Sequence, residues 1–190
     1  AIRFVVPREL RELNRWCVGH YVEREGKKPR KEPVSVHGGR ASCNAPLTWS
    51  SFDDALAFFG RGEQDAQGVW FATGVVNEGD EIAYAGFDLD GCVDENGVVD
   101  PRALKIIGEL RSYAEYSPSG RGIRILCRVP AGTRSIGANA SGFEFYAGKR
   151  FLSVTGRHSF NALRELVTID AQTPRRLYER YKAESNGSAP

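Results

Sequence analysis

Hydrophobic residues, many of them β-branched or aromatic, concentrate in six short segments of the chain, which is typical of β-strands. These segments predict strands at residues 16–22, 68–76, 82–89, 122–129, 142–146 and 151–155. Hydrophobic residues spaced three or four positions apart predict helices at 51–59, 101–113 and 173–183. Strands and helices are mixed, and an antiparallel run from 122 to 155 follows a helix. This order predicts an α+β (mixed α/β) fold.

Composition agrees with a globular chain, since 41% of the 190 residues are hydrophobic and 26% are charged. That length predicts a single domain over 1–185 with a flexible tail or linker at 186–190. No apolar run reaches the roughly 18 to 20 residues of a membrane helix, and no signal-peptide pattern opens the chain. We therefore expect a cytoplasmic protein with no membrane partner.

Four cysteines are scattered along the chain without a Cys-x-x-Cys pair, which favours reduced thiols. Cys17 and His20, followed by His37 and Cys43, leave a zinc site open as an alternative. The spacing of these four residues is loose, so ordinary buried thiols are the favoured interpretation.

Charge is unevenly distributed although the net charge is only +2. Residues 62–101 contain ten Asp and Glu and no Lys, Arg or His, whereas residues 111–164 contain nine Arg or Lys and two Glu. A second basic cluster lies at residues 24–31. An acidic centre between basic segments suits a metal site that faces a polyanion, although each cluster taken alone is more often solvated surface.

Two carboxylates, Asp88 and Asp90, lie on one face of the predicted strand at 82–89, because side chains alternate along a strand. The segment Gly142–Tyr146 has the same pattern, with Glu144 opposite two phenylalanines. If the two strands are neighbours, three carboxylates converge, and like charges about 4 Å apart repel by roughly 4 kcal/mol at an effective dielectric near 20. Mg²⁺ or Mn²⁺ would compensate them. An Asp pair at a solvated strand end is the alternative.

A glycine-rich turn, Ser117-Pro-Ser-Gly-Arg-Gly122, lies between the two carboxylate strands. Its glycines allow positive φ and close backbone approach, and free N–H groups in such a turn can bind phosphate. Arg121 and Arg124 could add charge-assisted bonds to the same phosphate.

Three families carry an Asp-x-Asp motif of this kind. Phe87-Asp-Leu-Asp90 resembles the first motif of the haloacid-dehalogenase phosphatases, but here it begins far into the chain and Asp170 is the only Asp after Asp100. Nucleotide-sugar glycosyltransferases also use Asp-x-Asp for Mn²⁺, but they do not explain the glycine-rich turn.

The archaeo-eukaryotic primase superfamily accounts for the whole order of motifs, and the chain most resembles its phage and plasmid primase–polymerase domains. The motifs that carry the resemblance are Asp88-x-Asp90, Ser119-Gly-x-Gly122-x-Arg124 and Phe143-Glu144-Phe145. Supporting similarity extends from about Trp16 to His158. The second motif usually ends in His, whereas Arg occupies this position here; Arg can bind phosphate bidentately but does not transfer protons at neutral pH.

The resemblance implies a primase–polymerase core with an RRM-like antiparallel sheet and a smaller N-terminal α/β lobe. It implies template-dependent nucleotidyl transfer in phage or plasmid DNA replication, with DNA template and primer, nucleoside triphosphates and a helicase domain or protein as partners. Asp88, Asp90 and Glu144 would be catalytic and would hold Mg²⁺ or Mn²⁺. The implied nucleotide-binding residues are Ser117, Ser119, Gly120, Gly122, Arg124, Tyr146 and Arg150. The implied nucleic-acid-binding residues are Lys28, Arg30 and Lys31.

A non-catalytic replication-initiator module is the rival hypothesis, because an RRM-like sheet can bind nucleic acid without any chemistry. Phe143, Phe145 and Tyr146 would then stack on bases. Alternation argues against this role, since both phenylalanines oppose Glu144 and would point into the core. For Arg124, the sequence leaves two possibilities, a clamp on the triphosphate or a salt bridge within the carboxylate cluster, and the clamp is favoured.

Overall fold

The computed structural model describes residues 2–62, 67–158 and 163–186, without the side chains of residues 3, 4, 27–29, 185 and 186. Nine strands fall in these ranges: β1 Trp16–Arg24, β2 Lys27–Val34, β3 Val69–Ala72, β4 Gly74–Val75, β5 Ile82–Leu89, β6 Ala114–Tyr116, β7 Ile123–Pro130, β8 Phe143–Tyr146 and β9 Phe151–Val154. The α-helices are α1 Ile2–Val5, α2 Arg8–Arg11, α3 Phe52–Gly60, α4 Pro101–Leu110 and α5 Thr173–Asn186, with a 3₁₀ turn at Pro46–Thr48. None of these described helices is long and apolar enough to cross a bilayer.

The strands form two antiparallel sheets, which confirms the predicted α+β class. The first sheet has the order β2-β1-β3-β9, so a strand from late in the chain completes a sheet that is otherwise N-terminal. The second sheet has the order β4-β5-β7-β6. β8 also pairs with β5, along the same edge of β5 as β4. β5 is therefore a central strand with partners on both sides.

Two local signals define the long helices at their N-termini. Ser51 caps α3 by accepting a hydrogen bond from the Asp54 N–H at 3.1 Å, and Asp100 caps α4 through the Arg102 N–H at 2.8 Å. Ser and Asp are both residue types that favour helix N-caps. The predicted end of the second helix, residue 113, is wrong, because Arg111 adopts a left-handed conformation with φ of 49° and ends α4 at Leu110.

Two hydrophobic cores cover the two faces of the second sheet. On one face, Phe87, Leu89, Phe143 and Phe145 are fully buried and pack with residues of α4 and α5. The other face packs against the first sheet, and the contacts of Gly86 show that the two sheets lie close together. A Cβ on Gly86 would lie 2.5 Å from the Leu152 side chain of β9 and 2.9 Å from Leu126. The side chains that share the face of Gly86 therefore lie against the first sheet.

The predicted strand pattern misses two of the observed strands. β2 runs through the charged segment interpreted as a basic cluster, and it pairs only with β1, at the edge of the first sheet. Charged side chains are common on edge strands, where they discourage pairing with other chains. β6 is three residues long, too short to show an alternating pattern.

Candidate active site

Four charged residues form a row across the second sheet. In the strand register, Asp88 lies opposite Arg124 on one side and Glu144 on the other, and Arg124 in turn lies opposite Glu115. All four are buried, with exposed fractions between 0% and 8%. Directly opposed residues have Cβ atoms about 4.5–5.5 Å apart. The row therefore brings the predicted carboxylates of β5 and β8 together and adds a glutamate and an arginine.

The Arg124 guanidinium contacts Asp88 and Ser153. Its Nε lies 3.3 Å from Asp88 Oδ1, its Nη2 lies 3.3 Å from Asp88 Oδ2, and its Nη1 donates to the Ser153 carbonyl at 2.9 Å and to the Ser153 hydroxyl. Burial lowers the pKa of Arg124, but the carboxylates of Asp88 and Glu115 outweigh it and hold that pKa above its usual value. Of the two possibilities for Arg124, the geometry matches the salt bridge. The clamp on the triphosphate stays a prediction.

Replacement of Arg124 by alanine should lower the free energy of unfolding by about 3 kcal/mol at neutral pH, because it leaves a buried carboxylate without its partner. The loss should lie at the lower end of the range for buried pairs, since Asp88 adjoins the exposed Asp90. Urea denaturation monitored by circular dichroism would measure it.

Arg128→Ala is the matched control on the same strand. Its pair with Glu9, 2.7 Å apart, is about one-third exposed at each side chain, so the loss should be smaller. Equal losses in the two variants would contradict the structural role of Arg124.

Asp90 follows β5 and lies beside the row. Its N–H donates to the Gly142 carbonyl at 2.8 Å, which ties it to the start of β8. Partial burial of the carboxyl raises the pKa of Asp90, and the charges of Asp88 and Glu144 raise it further. The three predicted carboxylates are thus close enough to influence one another.

Glu144 is held by Tyr146 from the same strand face. The Tyr146 hydroxyl donates to Glu144 Oε2 at 2.6 Å, and the Arg150 guanidinium lies 4.6 Å from the centre of the Tyr146 ring. Burial and the hydrogen bond to Glu144 raise the pKa of Tyr146 to about 12. The structure therefore joins Tyr146 and Arg150 to the carboxylate row.

The glycine-rich turn packs directly against the carboxylate strand. A Cβ on Gly122 would lie 2.7 Å from the Leu89 carbonyl oxygen and 3.5 Å from the Asp90 Cα. Gly120 has a φ of 75°, which favours glycine. Close approach of the turn to β5 thus depends on Gly122, which has both Ser117 and Asp90 as neighbours.

The sequence suggested free N–H groups in this turn, but three of these groups already donate hydrogen bonds within it. Gly120 N–H donates to the Ser117 carbonyl at 2.9 Å, Gly122 N–H to the Ser117 hydroxyl at 3.1 Å, and Arg121 N–H to the Ser119 hydroxyl at 3.3 Å. The turn satisfies its own backbone because its serine side chains accept. Phosphate binding here would rely on hydroxyl groups and cationic side chains.

The predicted nucleic-acid-binding residues lie on β2. Lys31 is exposed, and its ammonium lies 6.0 Å from the centre of the Tyr21 ring. Its pKa is lowered by partial burial of the ammonium and by Arg124, while Asp88 and Asp90 oppose this change, so Lys31 is on the side of the carboxylates. Arg30 pairs with Glu32 at the surface. The Lys28 side chain lies outside the described residues.

The donor chemistry of the site fits a divalent cation, because all three acidic groups are hard oxygen ligands. Asp88 Oδ1 is buried without a hydrogen bond. In the described part of the chain, however, no three His, Cys, Asp or Glu side chains are arranged as a metal-ligand set.

Two residues of the zinc alternative, Cys17 and His20, make other contacts. Cys17 is buried beside Trp70 and Ala41, and burial raises the pKa of its thiol. His20 Nε2 lies 3.3 Å from Glu32 Oε2.

Sequence reasoning missed Glu115, which is fully buried and electrostatically coupled to Arg124. Its strand is too short to give a periodic signal, and in the sequence it counts only as an isolated acid in a basic segment. Ser153, the second partner of Arg124, comes from the other sheet, so no local pattern could have indicated it.

Comparison with known proteins gives one similarity that covers most of the chain. The chain is 31% identical over 153 residues to a protein named DNA Primase-polymerase from Nitratiruptor phage NrS-1. The match covers 77% of this chain and 20% of the phage protein, so the chain spans about a fifth of the length of its relative. No family model matches the chain.

Proposed function

Because the chain belongs to the primase–polymerase family, we propose that it catalyses template-dependent nucleotidyl transfer during phage or plasmid DNA replication. A 3′-hydroxyl oxygen attacks the α-phosphorus of a nucleoside triphosphate, a P–O bond forms, the α–β phosphoanhydride bond breaks and pyrophosphate leaves. The observation that supports this proposal most is the register that sets Asp88 between Glu144 and Arg124 beside the glycine-rich turn.

The three carboxylates would bind the activating cations. Asp88, Asp90 and Glu144 would hold Mg²⁺ or Mn²⁺. When bound, the metal would acidify the attacking hydroxyl and offset the charge that develops at the phosphate. Tyr146 orients Glu144 through its hydroxyl, and Arg124 orients Asp88 from the opposite side. The single positive charge of Arg124 is smaller than the combined negative charge of the three carboxylates. The remaining net negative charge favours cation binding.

The substrates would approach from the glycine-rich turn and from β2. Ser117 and Ser119 would donate hydroxyl hydrogen bonds to the triphosphate, and Gly120 and Gly122 let the turn lie close to it. Tyr146 and Arg150 would contact the sugar or base. Lys28, Arg30 and Lys31 would bind template phosphates. A helicase domain or protein of the same replicon is the proposed partner.

Primer extension tests the proposed reaction directly. The chain should incorporate dNTPs on a primed template in the presence of Mg²⁺ or Mn²⁺ and not in the presence of a chelator. A parallel reaction without primer would show whether it also starts strands. Binding of DNA without incorporation under either metal would support the non-catalytic module instead.

The structure gives that rival little support. Phe143 and Phe145 are 0% exposed, and their ring centres lie 5.7 and 4.7 Å from that of Phe87. They pack in the core, as the alternation predicts, and are not available to stack on bases.

Glu144→Gln should lower the rate of nucleotide incorporation by about 100-fold, because the amide keeps the shape but loses the charge that would hold the metal. The pKa of Tyr146 should also fall from about 12, since the anionic acceptor helps to raise it. Primer extension and a spectrophotometric tyrosine titration would measure the two effects.

Glu78→Gln, at an exposed site between β4 and β5, is the matched control and should leave both quantities unchanged. Parental incorporation and parental Mn²⁺ affinity in Glu144→Gln would reduce the site to two carboxylates and favour the glycosyltransferase alternative.

A further inference from the structure

The segment after β9 is held against β6, the strand that leads into the glycine-rich turn, by the buried carboxylate of Glu115. Glu115 Oε1 accepts from the Thr155 N–H and its Oε2 from the Gly156 N–H, both at 2.9 Å, and the Tyr113 hydroxyl donates to Oε2 at 2.7 Å. The Thr155 hydroxyl donates to the Tyr116 carbonyl at 2.8 Å. These bonds fix the backbone just before Arg157.

Arg157 extends from this anchored segment across the turn. Its backbone carbonyl accepts from the Tyr116 N–H at 2.8 Å, so its position relative to β6 is fixed. Its Nη2 donates to the Pro118 carbonyl at 2.6 Å and to the Ser117 carbonyl. Its Nη1 lies 4.0 Å from where a Cβ on Gly120 would be. One edge of the guanidinium is thus hydrogen-bonded to the turn, while Arg157 remains exposed.

The turn itself carries an exposed arginine, Arg121, whereas Arg124 is not accessible. Arg124 is 4% exposed and bound to Asp88 and Ser153, and three N–H groups of the turn already have acceptors within it. No carboxylate in the described ranges forms an ion pair with Arg157. In these ranges its charge is therefore uncompensated, beside a turn that carries the hydroxyl groups of Ser117 and Ser119.

We propose that Arg157 is a phosphate ligand of the incoming nucleotide and takes the role that the sequence suggested for Arg124. This inference rests on the proposed function and adds a residue to the same site. Nη2 holds the turn, and the remaining N–H groups donate to phosphate oxygens in charge-assisted hydrogen bonds. Glu115 is the positioning residue that holds the segment carrying Arg157.

Calorimetric titration with a non-hydrolysable dNTP and with inorganic tripolyphosphate tests the assignment. Arg157→Ala should weaken binding of both probes by about 10- to 100-fold, as expected for loss of one or two hydrogen bonds to a charged group. The dependence of log Kd on log salt concentration should become shallower, because one fewer phosphate is neutralised. Arg157→Lys should recover part of the affinity and the parental salt dependence.

The exposed Arg134 provides the matched control, and Arg134→Ala should bind both probes as the parent does. A purely structural brace would give a different result: Arg157→Lys would bind as weakly as Arg157→Ala, and the salt dependence would stay parental. That result, or parental affinity in Arg157→Ala, overturns the inference while the proposed function stands. A parent chain that neither binds triphosphate nor extends primers overturns both.

Discussion

Asp90→Ala should lower nucleotide incorporation by about 100-fold or more and should leave the metal-free chain at least as stable as the parent. The loss of rate is expected because the variant removes a proposed metal ligand that would offset transition-state charge. Asp90 is exposed, so the alanine leaves no buried cavity. Primer extension with Mg²⁺ and thermal unfolding in a chelator measure the two effects.

The pKa of Asp90 determines the sign of the stability effect. The pKa is higher in the folded chain than in the unfolded chain, through partial burial and the neighbouring Asp88 and Glu144. Its contribution to stability is therefore present below the unfolded pKa and is lost as pH rises through the folded pKa. At pH 7 the ionised carboxylate destabilises the metal-free chain, so the Tm of Asp90→Ala should be unchanged or higher, and the difference should shrink on acidification.

Two further variants make the Asp90 experiment specific. Glu95→Gln, an exposed carboxylate in the loop after Asp90, should keep parental activity. Asp88→Ala should lose activity to a similar extent but should also destabilise the chain, because it removes the partner of the buried Arg124. Primer extension by Asp90→Ala at nearly the parental rate would reject the catalytic assignment.

Glu115→Ala should lower the free energy of unfolding by about 5 kcal/mol, the upper end of the range for a broken buried charge pair. Three donors lose their acceptor: the Tyr113 hydroxyl and the N–H groups of Thr155 and Gly156. Arg124 also loses one of the two carboxyl groups that hold its pKa up, although burial raises the pKa of Glu115 itself. Urea denaturation at neutral pH measures this change.

Glu109→Ala is the comparison variant, because it removes a glutamate that pairs with Arg176 and Arg180 at the surface. Such exposed pairs contribute about 1 kcal/mol or less. Glu115→Gln should fall between the two, since its amide oxygen can still accept one of the bonds. A loss in Glu115→Ala no greater than that in Glu109→Ala would contradict the anchoring role of this carboxylate.

Local signals in the sequence were sufficient for much of the fold. β5 has the predicted bounds, because its residues alternate between the face that packs with α4 and α5 and the face that lies against the first sheet. The same periodicity correctly placed Phe143 and Phe145 in the core. The N-terminus of α4 was also predictable, since Asp100 and Pro101 act within a few residues of each other.

The arrangement of the site depended on contacts that no local pattern contains. The sequence could place Asp88 and Glu144 on like faces of two strands, but only strand pairing made them neighbours. Pairing also placed Arg124 opposite Asp88. A different arginine, Arg157, contacts the glycine-rich turn and remains exposed. By itself the sequence determined which residues alternate and which helices are capped, because those preferences act over one turn or one pleat. Only the tertiary structure decided which charges meet, because register and burial are set by residues distant in the chain.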